Sequence, residues 1–197
     1  MTDRPIIFSA PMVRALLAGT KTQTRRAAWR SCRPRSELYG VNERMPTVWQ
    51  RVRPGDRLWV REAVAYRPNR VDGLPDEYWY PADHEDFDRS TAEVVRSPIH
   101  MPRWASRLTL TVTAARIERL RDISEDDARA EGLTCENISD KARQRFDRMK
   151  PWPEFYRPLF ALLWDSIHTP GAWEANPEVV ALTFTVERRN IDAGVTG

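Results

Sequence analysis

The sequence predicts an α+β fold in which the strands form a small β-barrel flanked by a few helices and long loop insertions. Residues 108–113 and 180–186 alternate apolar and polar side chains, and a period of two is typical of strands with one buried face. Between them, apolar residues recur at helical spacing over 156–167. Hairpin-like spacing with few helices favours a barrel over a parallel doubly wound sheet. We expect the strand over 108–112 near its centre, with the helix over 159–167 packed on it.

Length and composition indicate one globular domain. The chain has 197 residues, of which 41% are apolar and 30% charged, so it is long enough to bury a core. We expect a single domain over 1–190 and a flexible tail over 191–197. No run of about 18 apolar residues is present, which argues against a membrane span. The N-terminal residues lack the layout of a signal peptide, so a cytoplasmic location is expected.

The cysteines and histidines do not suggest a metal site. Cys32 and Cys135 lie far apart and form no CxxC pair, which is typical of free thiols in a reducing compartment. The three histidines, His84, His100 and His168, do not have the spacing of metal ligands. We therefore expect no metal and no other cofactor.

The first elements are a strand, a helix and a segment rich in cations. Residues 5–8 form a short apolar strand, Ser9 is placed to cap a helix, and Gly19 is a natural end for that helix. The next residues, 19–26, contain one lysine, three threonines and two arginines. Cations and hydroxyls held by a rigid element are typical of a ligand site, whereas the simpler alternative is a solvated strand.

The middle of the chain alternates between a strand and two insertions. Residues 27–48 are rich in Arg, Pro and Ser and are interpreted as a surface excursion. A turn over 53–56 leads into a strand over 57–64, whose charged positions predict one solvent-exposed face. Residues 67–98 contain many Pro, Asp, Gly and Glu residues and are interpreted as a second insertion.

The C-terminal half begins with a capped helix. Ser124 and Asp127 have the spacing of a capping box, and the short helix they start is expected to end around Glu131 and Gly132. A polar, basic helical insert is predicted over 134–152.

The basic and aromatic residues together suggest a nucleotide partner. The net charge is +3, and the basic residues are mostly arginine, which forms planar contacts with phosphates and base edges. Eight tryptophans are many for this length, and aromatics interleaved with arginine suit base stacking. The alternative is that the tryptophans belong to the core and the arginines are solvated.

Several segments together resemble the ASCH-domain family, and particularly its larger subgroup found in phages and prophages. The resemblance covers roughly residues 5–188, with the segments in the expected order. The segments that carry it are 8–15 with 19–26, 55–62, 99–106 and 122–132.

This resemblance implies a PUA-like pseudo-barrel with a cleft for nucleic acid or a modified nucleobase. One branch of the family is a small bacterial amidohydrolase that removes acetyl from N4-acetylcytidine with a Thr, Lys and Glu triad. Lys21 and Thr24 match its Lys-x-x-Thr pattern, and Glu131 is the acid that we align with it. This chain is about twice as long as that enzyme, and its insertions are placed to reshape or cover the pocket. They occupy about 27–50, 67–98 and 134–152.

The three residues are chemically suited to amide hydrolysis. A threonine hydroxyl needs a base, and Lys21 can serve if burial or the nearby Arg25 and Arg26 lower its pKa. A glutamate can orient the lysine or protonate the departing amine. In a regular strand, Lys21 and Thr24 would face opposite sides, so they converge only if the chain turns or bulges after Gly19. The simpler roles are a phosphate contact for Lys21 and a turn or ladder hydroxyl for Thr24.

Further residues are predicted to bind the substrate or nucleic acid. They are Arg25, Arg26, Glu62, His100, Arg103 and Trp104. The arginines would contact phosphates, while His100 and Trp104 would stack on a base. Glu62 is a possible second acid in the cleft, although a salt bridge with an arginine of the same sheet is the simpler role. The alternative is that His100, Arg103 and Trp104 pack together at the rim of the barrel as a structural aromatic cluster.

Three functions remain open at this point. The first is an amidohydrolase acting on an N4-acylated cytosine nucleoside, and the second is a non-catalytic module that binds RNA or a modified base. The third is a metal-dependent ribonuclease, reported for some ASCH relatives. The expected partner is a nucleoside or RNA, or a modified DNA base, and the expected state is a monomer without membrane association.

Overall fold

The computed structural model describes most of the chain. The described residues are 1–32, 43–67, 77–84, 94–134, 140–148 and 155–193. The predicted Cys135 thiol and parts of all three predicted insertions lie outside these ranges. No helix in the described part of the chain is long and apolar enough to cross a membrane.

Four α-helices and ten strands are present in the described residues. The helices are α1 (Ala10–Leu17), α2 (Glu125–Ala130), α3 (Asp140–Arg148) and α4 (Tyr156–Ile167). The first five strands are β1 (Asp3–Ile7), β2 (Gln23–Ala27), β3 (Trp29–Cys32), β4 (Glu43–Pro46) and β5 (Arg57–Arg61). The others are β6 (Val64–Arg67), β7 (Glu77–Trp79), β8 (Val94–Arg96), β9 (Thr109–Arg119) and β10 (Glu178–Glu187).

The main sheet has five strands in the order β1-β5-β9-β10-β2. It is mixed, because β1 pairs with β5 in parallel while β5–β9 and β2–β10 are antiparallel. Two small antiparallel sheets, β3–β4 and β7-β6-β8, complete the set. The predicted α+β class is confirmed, and β9 occupies the predicted central position in the strand order. No closed barrel is detected among the described residues, so the PUA-like barrel remains a proposal.

The chain divides into two compact units, which we describe separately. Unit 1 comprises Met1–Thr20, Gly55–Thr111 and Thr185–Gly197, and unit 2 comprises Lys21–Pro54 and Val112–Phe184. The prediction of one domain over 1–190 is not tested by this division.

In unit 1, α1 begins after Ser9 and contributes the apolar side chains of Met12, Val13 and Leu16 to the core. Ser9 occupies the N-cap position but its side chain makes no capping bond. β5 differs from the sequence-based expectation of one exposed face. Leu58, Trp59 and Val60 are all buried, so both side-chain faces of β5 are covered in its middle.

The C-terminal end of unit 1 is partly anchored. Ile191 is buried and its carbonyl oxygen accepts a bond from Arg57 Nη1 at 3.1 Å. Asp192 pairs with Arg103 at 2.7 Å. Residues 194–197 lie outside the described ranges.

In unit 2, α2 and α4 pack together and are joined by a carboxylate. Ser124 caps α2 as predicted, since its Oγ accepts a bond from the Asp127 N–H at 3.0 Å. Glu125 then accepts bonds from the first N–H groups of α4, at Phe155, Tyr156 and Arg157. Burial alone would raise the pKa of Glu125, but these N–H groups outweigh it and hold the pKa below its usual value.

Candidate functional site

Lys21 lies where the backbones of two elements of unit 2 meet. Gly19, at a φ of 73°, ends α1 in the left-handed region that suits glycine, and the chain then turns towards β2. Lys21 forms an isolated antiparallel bridge with Glu131, the residue that ends α2. The next residue, Thr22, donates its N–H to the Ala130 carbonyl at 2.9 Å. The end of α2 is thereby fixed beside the beginning of β2.

The side chains of Lys21 and Glu131 form a buried ion pair. Lys21 Nζ lies 2.8 Å from Glu131 Oε2 and 2.9 Å from the carbonyl oxygen of the same residue. Lys21 is 1% exposed and Glu131 is 4% exposed. The structure thus brings together two of the three predicted catalytic residues.

The environment of Lys21 favours its neutral form more than water does. Burial lowers the pKa of the Lys21 ammonium, and the nearby charges of Arg26 and Arg25 act in the same direction. Glu131 opposes this through its charge and hydrogen bond, but the pKa remains below its ordinary value. A lysine whose pKa is lowered in this way is better suited to accept a proton near neutral pH.

Arg25 adds a second cation to the same carboxylate. Its side chain is fully buried and lies 3.2 Å from Glu131 Oε1, 2.8 Å from Glu118 and 2.9 Å from Asp127. Its guanidinium carbon is also 6.0 Å from the centre of the Phe160 ring. Because three carboxylates already surround Arg25, the predicted phosphate contact would have to compete with them.

The alternation of β2 places Thr24 on the opposite face of the strand from Gln23 and Arg25. Gln23 and Arg25 both donate to Asp127 of α2, so these two side chains share one face of the strand. Successive residues of a strand point to opposite faces, which places Thr24 on the other face. There Thr24 is 4% exposed and is paired in register with Leu182 of β10. We name Lys21, Gln23, Arg25, Asp127 and Glu131 the β2–α2 cluster, and Thr24 is not part of it.

Arg26 follows the same alternation. It lies opposite Val180 in the register of β2 and β10, and its guanidinium carbon is 5.8 Å from the centre of the Trp49 ring. Its charge nevertheless reaches Lys21, whose pKa it helps to lower.

Glu62 belongs to a separate group of charges in unit 1. It is 1% exposed and is held by Arg107, whose Nε and Nη2 lie 2.9 and 3.0 Å from the two carboxylate oxygens. Burial raises the pKa of Glu62, although Arg107 acts in the opposite direction. Arg107 also pairs with Asp83 at 2.6 Å and stacks 4.0 Å from the centre of the Tyr80 ring. Arg107, which directly precedes the clearest predicted strand, was not among the predicted site residues.

Three more of the predicted binding residues lie in unit 1, namely His100, Arg103 and Trp104. Their side chains differ in exposure and in the contacts that they already make. His100 ends a short 3-10 turn and is exposed. Arg103 is engaged by two carboxylates, at 2.7 Å from Asp192 and 2.6 Å from Asp3, and these bonds raise its pKa. Trp104 is 62% exposed, so it is accessible for the predicted stacking.

Trp104 extends an aromatic surface on unit 1. Its ring meets Tyr78 edge to face with the centroids 5.2 Å apart, and Tyr78 stacks on Tyr66 at 5.3 Å. The Arg96 guanidinium carbon lies 5.4 Å from the centre of the Tyr66 ring. We name Tyr66, Tyr78 and Trp104 the aromatic surface.

Unit 2 also contains an open cavity of about 340 Å³ that the sequence analysis did not predict. We name it the Trp29 cavity. It is lined by Ala27, Trp29, Arg30, Arg44, Arg119, Ala175, Pro177 and Glu178. The many arginines and tryptophans in the composition were the signal for such a cavity. The position of the cavity could not be predicted from them, because its lining comes from four segments that are distant in sequence.

No group of three or more His, Cys, Asp or Glu side chains in the described ranges is arranged to hold a metal ion. No protein-family model, curated protein or solved structure matches this chain. The resemblance to ASCH-domain proteins therefore stays a prediction.

Proposed function

We propose that this protein is an ASCH-type amidohydrolase with a PUA-like fold that removes the acyl group from an N4-acylated cytosine nucleoside such as N4-acetylcytidine. The observation that supports this proposal is the buried contact between Lys21 and Glu131. These residues are 110 positions apart in sequence, and the resemblance assigns both to one catalytic unit.

The proposed reaction uses Lys21 as the base. The neutral amine of Lys21 accepts the proton of the attacking hydroxyl as its oxygen bonds to the acyl carbon. The bond between the acyl carbon and N4 of cytosine then breaks, and N4 takes the proton that Lys21 has accepted, so that it leaves as the amine of cytidine. Water hydrolyses the acyl ester to release the carboxylic acid and regenerate the hydroxyl. Glu131 holds the lysine in place and carries the negative charge that stabilises its protonated form.

The resemblance assigns the attacking hydroxyl to Thr24. Thr24 lies on the opposite face of β2 from Arg25, and Lys21 lies outside that strand, so the alternation alone does not assign the nucleophile. A water molecule activated by Lys21 would give the same products in a single hydrolytic step. Replacing Thr24 distinguishes the two routes.

The test is the release of cytidine from N4-acetylcytidine by the purified protein, followed by HPLC. The wild type and the control Arg189→Met, whose side chain is 55% exposed, are expected to turn over, whereas Lys21→Met is expected to lose about a hundredfold or more in rate. Complete loss in Thr24→Ala identifies the threonine as the nucleophile, and retained turnover identifies water. The proposal fails if the wild type releases no cytidine.

A second candidate function, a non-catalytic module that binds single-stranded RNA, is favoured by the aromatic surface. Trp104 and Tyr78 are both exposed and belong to one stacked group, which is typical of a platform for bases. RNA binding that weakens as salt rises and is reduced in Trp104→Ala, with no turnover of N4-acetylcytidine, would favour this candidate. No observation on the described residues favours the ribonuclease.

A further inference from the structure

The Trp29 cavity combines a fixed aromatic ring with an excess of positive charge. Trp29 Nε1–H donates to Glu178 Oε2 at 2.9 Å, and Arg44 Nη2 donates to the same oxygen at 3.1 Å. The Arg44 guanidinium carbon lies 4.9 Å from the centre of the Trp29 ring. The indole is therefore held in one orientation while its side chain remains only half-buried.

The cavity presents more cations than its carboxylate can neutralise. Among the described residues that line it, Arg30, Arg44 and Arg119 stand against one carboxylate, that of Glu178. Arg30 and Arg119 are exposed, and the bond that Arg119 donates runs to the carbonyl oxygen of Asn176 at 3.4 Å rather than to a carboxylate. Such an arrangement attracts an anion, and guanidinium groups are well suited to phosphate.

The rest of the lining leaves space beside the ring. Ala27, Ala175 and Pro177 have small side chains, and the cavity volume of about 340 Å³ lies within the range of small-molecule sites. A flat aromatic ring, adjacent guanidinium groups and an open cavity of this size match the chemistry of a nucleotide. The base would stack on indole and the phosphate would contact arginine.

We infer that the Trp29 cavity binds one nucleotide of a single-stranded nucleic acid, with its base against Trp29 and its phosphate at the exposed guanidinium group of Arg119. The cavity begins at Ala27, and the β2–α2 cluster begins at Lys21. Lys21 and Ala27 are six positions apart, and β2 covers Gln23–Ala27 of this stretch. A single strand of nucleic acid laid along β2 reaches from the cavity to the cluster, so a polymer is the occupant that we infer. Naming that polymer as the substrate rests on the proposed function, whereas the binding itself does not.

The test is fluorescence anisotropy with a ten-nucleotide single-stranded RNA that carries fluorescein at its 5′ end. Arg30→Glu and Arg119→Glu reverse exposed charges in the cavity and are each expected to weaken binding by about tenfold or more. The matched control is Arg189→Glu in unit 1, whose side chain is 55% exposed and paired with Glu187. This control is expected to change the affinity by less than about threefold.

A second pair of measurements addresses the ring and the phosphate contact. Trp29→Ala is expected to weaken binding between about 5-fold and 100-fold, the usual range for loss of one stacked base. If Trp29→Ala unfolds, the two arginine variants still decide the question. Removing one phosphate contact in Arg119→Ala should reduce the slope of log K against log salt by about 0.7.

The inference is overturned if the wild type does not bind the RNA, or if Arg189→Glu weakens binding as much as the cavity variants. It is also overturned if uridine monophosphate binds as tightly as the ten-nucleotide RNA. Turnover of free N4-acetylcytidine by the wild type is measured separately. RNA binding that depends on the cavity, without any turnover, would leave this inference standing and refute the proposed function. Turnover together with RNA binding that the cavity variants do not change would support the proposed function and refute this inference.

Discussion

Replacing Glu131 with glutamine should destabilise the protein strongly. Glu131→Gln keeps the shape of the side chain but removes the charge that faces Lys21 at 2.8 Å and Arg25 at 3.2 Å. Lys21 is 1% exposed, so bulk solvent hydrates its ammonium group poorly and does not compensate for the lost charge. Breaking a buried ion pair from one side costs about 3–5 kcal/mol. For a chain of this size, this corresponds to a decrease in Tm of roughly 6–20 °C.

The pH dependence of the same variant provides a second check. The pKa of Lys21 is already below its ordinary value in the folded protein, and Glu131 is the group that raises it. Without that charge, the folded pKa falls further below the unfolded value, so the unfolded state binds more protons than the folded state. Stability then rises with pH between the folded pKa and the ordinary value of 10.5. The deficit of Glu131→Gln should therefore shrink as the pH is raised towards 10.5.

Urea denaturation at several pH values measures both effects. The control is Glu174→Gln, whose side chain is 73% exposed and pairs with Arg121, and it should cost less than about 1 kcal/mol. The account of the β2–α2 cluster is refuted if Glu131→Gln costs no more than this control, or if its deficit grows with pH.

Two further substitutions test other parts of the structure. Arg107→Met should reduce the free energy of unfolding by about 2–4 kcal/mol at pH 7, since it leaves the buried Glu62 unpaired while Arg107 itself is partly exposed. Because burial raises the pKa of Glu62, the loss of stability should shrink as the pH falls from 7 towards 4.5. Urea denaturation that shows the same loss at pH 7 and at pH 4.5 would contradict this prediction. Ser124→Ala removes the capping bond of α2 and should reduce the free energy of unfolding by about 1 kcal/mol, which is measured as a lower Tm. An unchanged Tm would show that the bonds from Glu125 to α4 hold α2 in place without the cap.

The sequence was most informative where a pattern is local. The alternation over 108–113 and 180–186 correctly predicted β9 and β10, because strand periodicity is set by adjacent residues. The cap at Ser124 and the helix end near Gly132 were also confirmed. The prediction of one exposed face for β5 was wrong, since Arg57 and Arg61 lie at its ends while the three residues between them are buried.

Contacts between distant segments were harder to predict. Composition did not identify Glu131 as the partner of Lys21, and only the resemblance to ASCH-domain proteins paired them. The Trp29 cavity was overlooked because Trp29, Arg119 and Glu178 come from separate segments, and only pairing of the strands determines which of them meet. Arg25 and Arg103 were predicted to contact phosphate, but each is engaged by carboxylates that no local pattern identifies.

The central claim is that the amine of Lys21, tuned by Glu131, accepts a proton during amide hydrolysis. The most direct measurement is the pH dependence of kcat/KM for N4-acetylcytidine in the wild type and in Glu131→Gln. We expect the wild-type kcat/KM to rise with pH through an apparent pKa below 10.5. Because Glu131 raises the pKa of Lys21, we expect this rising limb of the pH profile to lie at lower pH in the variant. No turnover by the wild type at any pH, or a limb that stays at the same pH in Glu131→Gln, would contradict the claim.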